Sequence, residues 1–217
     1  LGRIARQHVA QWRLKAMPIR DIPYLSLDLE LNPGPDGPEI IQVGVCIGSP
    51  GTNTSDWVTR SWYLRPISGS PIEPRITQLT GISDETLDLL AVSHTQVASE
   101  LSELIRGTPD LFVNPVQWGL GDAQELLAEF AGLNIHFPHF GRRVIDVKHY
   151  YLYVELANGR SPSGGLRSSM GRHGLQFAGT PHRADTDAFN TLRFFFHLLR
   201  RQESLERIRE EVSQWKR

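Results

Sequence analysis

Five side chains in this 217-residue sequence have the types and spacings that handle hard cations and activate water. Asp28 and Glu30 stand two apart in the run YLSLDLE, residues 24–30. In a strand, side chains alternate, so both carboxylates would share one face with Cα atoms roughly 6.5–7 Å apart. Such a pair repels, and its burial is costly unless a shared cation compensates. A hard divalent ion with oxygen ligands, Mg²⁺ or Mn²⁺, suits it. The plainer reading is two solvent-facing charges on an exposed strand edge. His182 and Asp187 lie five apart in PHRADTDAFNTLRFF. A histidine on a loop, titrating near neutrality, suits a general base that takes a proton from water, and Asp187 would face inwards beside Ala188. The plainer reading is a surface histidine and an acid that stabilises a helix dipole. Asp122 opens a helix after the glycine-rich turn WGLG. It could project over the end of a sheet, or simply cap the helix. Asp185 also lies near a helix start and reads as a capping residue.

These residues need a scaffold. Tyr24 to Glu30, Ile40 to Ile47 and Trp57 to Leu64 read as strands of an antiparallel meander. Between the first two, NPGPDGPE is rich in turn residues and cannot be helix. Helix and strand alternate afterwards: a helix at Ser93–Arg106 with Ser93 as its N-cap, a strand at Leu111–Val116, a helix at Asp122–Phe130. A short strand at Val144–Val147 leads into a helix at Lys148–Leu156, then a loop at Asn158–Gly165 and a short helix at Leu166–Gly174. A long helix spans Asp185–Arg201, and a separate charged one spans Glu203–Arg217, with Leu205, Ile208, Val212 and Trp215 on one stripe. The pattern predicts an α/β fold, a mixed sheet with helices on both faces. The expected organisation is a basic arm or helix at 1–20, one domain at 21–202, and a terminal helix at 203–217 that packs on the domain or extends from it.

Bulk properties exclude several classes. A net charge of −1 argues against a protein that coats nucleic acid through a global basic field. The single cysteine, Cys46, excludes an internal disulfide and a multi-cysteine zinc cage. Its apolar surroundings point to core packing and suit a reducing, cytoplasmic compartment. No apolar run has the roughly 18–20 residues a membrane span needs, and the basic start lacks the continuous apolar stretch of a secretory signal. His136 and His139 have no cysteine or acid to complete a zinc site. The glycines of GLRSSMGRHG follow no strand, so a dinucleotide fingerprint fails. Arg142, Arg143, Lys148, Arg167 and Arg172 either line a path for phosphates or form an ordinary solvated face. Glycoside hydrolysis fails on geometry, because its two acids must flank the scissile bond rather than share one strand face.

Taken together and in order, the three segments resemble the DEDDh branch of the DnaQ-like 3′–5′ exonucleases, which have a ribonuclease-H-like fold with a five-stranded sheet. Asp28-Leu29-Glu30 is similar to that family's first motif, Asp122 to its second, and His182 to Asp187 with Ala188 to its third. PIEPRITQLTGISDETL resembles the family segment beside the substrate's 3′ end. The likeness runs from about Tyr24 to Leu199. It implies two divalent ions held by Asp28, Glu30, Asp122 and Asp187, with His182 deprotonating the attacking water. It implies single-stranded RNA or DNA 3′ ends as partner and nucleoside 5′-monophosphates as products. It places Leu29, Leu79, Thr80 and Gly81 near the terminal nucleotide, although Leu79 and Ile82 could equally anchor a helix. Where many members carry His-Asn or an aromatic before the second Asp, this chain has Trp118-Gly119-Leu120-Gly121, similar to RNA 3′-end trimmers. That tilts the expectation towards RNA. The competing expectation is a catalytically silent nucleic-acid-binding or partner-docking module of the same fold.

Overall fold

A computed structural model describes residues 22–136, 141, 143–162 and 164–215, with 209–215 through their backbone alone. The proposed N-terminal arm, His139 and Arg142 lie outside the described residues. Five strands form one mixed sheet in the order β3-β2-β1-β4-β5. β1 (Tyr24–Pro33), β2 (Pro38–Gly48) and β3 (Val58–Tyr63) make the antiparallel meander, while β4 (Phe112–Gln117) and β5 (Ile145–Asp146) add parallel beyond β1. β1 is therefore the central strand. The fold is ribonuclease-H-like, of the DnaQ type.

Seven helices flank the sheet among the described residues: α1 (Pro74–Thr80), α2 (Asp84–Leu90), α3 (His94–Gly107), α4 (Asp122–Gly132), α5 (Val147–Ala157), α6 (Leu166–Arg172) and α7 (Ala184–Trp215). None is long and apolar enough to cross a membrane. Strand alternation divides the core in two. Leu25, Leu27 and Leu29 meet Val97 and Leu101 of α3 and Leu126 and Phe130 of α4. Tyr24, on the opposite face, belongs to a second cluster with Tyr151 of α5, Met170 of α6, and Leu192 and Phe196 of α7, its ring meeting Phe196 edge-on.

Local chemistry explains most boundaries. Ser93 caps α3 as expected, its hydroxyl accepting from the Gln96 N–H at 3.1 Å. Pro74 begins α1, and Gly81 ends it in a left-handed conformation at φ 76°. One expectation needs correction: no break separates 185–201 from the terminal segment. The helix runs continuously from Ala184 to Trp215. From Ala184 to Trp215 the sequence contains neither glycine nor proline, so leaving the core changes its exposed face without stopping it. Leu205 and Ile208 lie exposed on that extension.

Candidate functional site

β1 sets the first two acids. Tyr24 and Ser26 face the α5–α7 layer, and the alternation carries Asp28 and Glu30 onto that same face. The pairing of β1 with β2 shifts register just after Glu30. Such an irregularity bends a strand and can re-aim a side chain. Ser26 ties β1 to β4, its hydroxyl donating to the Val116 carbonyl at 3.0 Å. β4 then delivers the chain into the Trp118–Gly121 turn, where Gly119 and Gly121 adopt φ of 99° and 129°. Asp122 follows as the first residue of α4. Gly121, not Asp122, occupies the capping position, which leaves the Asp122 carboxylate free of that duty.

The third segment reaches the site because α7 begins directly on β2. A methyl group added at Gly44 would lie 2.0 Å from the Ala184 carbonyl carbon, so only glycine allows this approach. The neighbouring Gln42 accepts the Ala184 N–H through Oε1 at 3.0 Å and satisfies an end-group of the helix from a different element. Asp187 comes one turn later. His182 precedes the helix at φ 60°, a left-handed conformation uncommon for a side chain of its size. Its backbone N–H donates to Asp187 Oδ2 at 2.8 Å, which locks loop to helix. Arg183 adds a second tie, donating to the Tyr63 hydroxyl at 3.1 Å.

These elements converge. One ligand atom each from Glu30, His182 and Asp187 falls within 4.8 Å of the others. Asp28 feels them all: burial first, then the charges of Asp122, Asp187 and Glu30, hold its carboxyl well above the usual range. Burial, followed by Asp187 and Asp122, pushes Glu30 up to about 8. Burial pushes Asp122 up to about 6, with the Gln117 side chain pulling it back and Glu125 adding to the rise. Asp187 is raised too, mainly by burial, against the stabilising N–H of His182. Asp185 stays outside the group and pairs with Arg183 at 3.5 Å. The four carboxylates thus share one electrostatic field whose repulsion a divalent cation would relieve.

A cavity of about 470 Å³ opens over this cluster, bordered by Asp28, Glu30, His182 and Asp187 together with Trp118 and Arg167. Leu29 borders it while packing into the α3–α4 core. Leu79, Thr80 and Gly81 do not border it. The Thr80 hydroxyl is engaged locally, donating to the Ile76 carbonyl and accepting from the Ile82 N–H. Leu79 is 48% exposed and makes no anchor, whereas Ile82 is buried against Ile41 and Leu87.

The exonuclease family model RNase T matches residues 25–195 of the chain. The chain belongs to this exonuclease family. Among solved structures, the nuclease domain of 3′hExo, a DEDDh family member bound to rAMP, superposes with a TM-score of 0.68 at 19% identity, over 82% of this chain and 92% of that one. Cell-death related nuclease 4 (CRN-4) gives 0.68 at 17%, over 82% and 64%. E. coli exonuclease I in complex with an oligonucleotide gives 0.65 at 15%, over 85% of this chain and 42% of that one. At these identities the likeness establishes the fold. No curated protein sequence matches significantly.

Within this family fold, sequence reasoning passed over Gln42 and Gly44, which seat α7 and hence Asp187. A glycine inside the β-branched run IIQVGVCI was the available signal. Phe177, another residue at the cavity, sits in an aperiodic loop and offered none.

Proposed function

We propose that this chain is a metal-dependent 3′–5′ exonuclease acting on single-stranded ends, with RNA favoured over DNA, and releasing nucleoside 5′-monophosphates. One observation carries the reading: Asp28, Glu30 and Asp187, from two separate elements, border a single cavity with His182, and the charge of Asp122 from a third element reaches Asp28 and Glu30. Asp28, Glu30, Asp122 and Asp187 would hold two divalent ions, Mg²⁺ or Mn²⁺. When bound, these supply positive charge to a phosphodiester and acidify water. His182, exposed beside the acids, would accept the proton of that water, a reading supported by its proximity to Glu30 and by the backbone bond that ties its loop to Asp187. Arg167 also borders the cavity, with no ion-pair partner among the described residues, and would meet a phosphate oxygen. The cavity's size favours an unpaired end over a duplex.

The RNA preference rests on the Trp-Gly style of the turn before Asp122 and on the likeness to 3′hExo bound to rAMP and to a 3′-exonuclease that recognises a histone mRNA stem-loop. The test uses 5′-labelled RNA and DNA of matched sequence, single- and double-stranded, with Mg²⁺ or Mn²⁺. A ladder shortening from the 3′ end, faster on single-stranded RNA, is the expected result. Retention of every strand at full length, with binding intact, would instead identify a silent binding module.

A further inference from the structure

A second cavity, of about 530 Å³, adjoins the catalytic cleft and has no part in the chemistry described so far. Residues consecutive in the chain border one and then the other at two places. Trp118 borders the cleft and Gly119 the second cavity; Gly165 borders the cleft and Gly164 the second cavity. Its volume lies within the range of small-ligand pockets. The lining combines two chemistries. Lys148 lies over Gly119, its Cδ 3.9 Å from where a Cβ there would stand, and makes no ion pair among the described residues. His149 stands beside it, its Nδ1 held by the Asp146 carboxylate, which also caps α5 by accepting the His149 N–H. Tyr151 and Leu152 supply an apolar wall. Leu120, 65% exposed at the tip of the turn between two positive-φ glycines, projects from the boundary between the cavities.

An unpaired cation next to apolar surface is what a nucleotide's phosphate and base face require. We propose that this cavity is an upstream nucleotide subsite, in which Lys148 contacts a backbone phosphate while Leu120 and Leu152 pack against a base. The inference rests on the exonuclease reading and deepens it: a strand whose 3′ end occupies the acid cluster continues past Leu120 into the Lys148 cavity. Substrates long enough to fill both cavities are then processed more efficiently than dinucleotides.

The test compares kcat/KM on a dinucleotide and on a hexanucleotide with the same 3′ end, for the wild type, Lys148→Ala and Lys148→Arg. Lys148→Ala is expected to lower the hexanucleotide-to-dinucleotide ratio about tenfold, through KM, with Lys148→Arg restoring most of it. The slope of log affinity against log salt for the hexanucleotide should fall by about 0.7, the value for one phosphate contact on a single strand. An unchanged ratio, or an equal loss on both lengths, overturns the subsite. If the wild type shortens neither substrate, the exonuclease reading itself fails and the subsite goes with it.

Discussion

Glu30 keeps its proton up to about pH 8 because burial and the charges of Asp187 and Asp122 oppose its ionisation. Asp28 and Asp187 are raised for related reasons. The sign of the consequence is fixed. These acids bind more protons in the folded state than in the unfolded one between the ordinary carboxylate range near pH 4 and about pH 8, so their contribution to stability is fully present below that window and is lost as pH rises through it. Calorimetry of metal-free protein should show Tm dropping from pH 5 to 8.5, with millimolar Mn²⁺ reversing the drop; a Tm that rises across this range would contradict the placement of the acids. Asp28→Asn should flatten part of the fall while lowering metal-dependent turnover by about 10³-fold or more. Titration calorimetry should find Mn²⁺ binding weakened in that variant. His182→Ala, by contrast, is expected to keep metal affinity and lose about 10²- to 10⁴-fold in turnover. Wild-type rates in that variant would remove the histidine from the proton transfer.

At the scale of elements, the seat of α7 on β2 connects folding to the site. Gly44→Ala forces a methyl group into the helix backbone and should cost on the order of 3 kcal/mol, measurable by urea denaturation. Because Asp187 rides on the first turn of the same helix, Mn²⁺ affinity should weaken in parallel. Retained stability would mean that α7 can start elsewhere. The contrast between legible and illegible elements follows the same physics. The meander was readable because alternation and turn residues are local signals, and Asp28 with Glu30 came with it. The seven-residue helices α1 and α2 were missed, since neither is long enough to show a period. The false break near Gln202 came from reading a change of exposed face as an end. Asp122 and the His182–Asp187 pair were visible as motifs, but what seats them was not: the Ala184 N–H is accepted by Gln42, 142 positions away. No local pattern encodes such a contact.

For the whole molecule, the extension of α7 beyond the core is expected to be nearly independent of the rest. Leu205 and Ile208 are exposed there, so removing residues 203–217 should change stability by no more than about 1 kcal/mol and leave the candidate site's metal affinity intact, as read by thermal melts and titration. A collapse of the shortened chain would show that the extension serves the fold. The central place of β1 has another outcome. Asp28 and Glu30 occupy the strand flanked on both sides, whose amides should exchange with solvent only when the molecule opens globally, while His182 sits outside the sheet on an exposed segment held by the Asp187 and Tyr63 hydrogen bonds, whose opening should cost less. If His182 is the proton acceptor proposed above, gentle warming should silence it first, giving a temperature interval in which Mn²⁺ binding persists while turnover is lost.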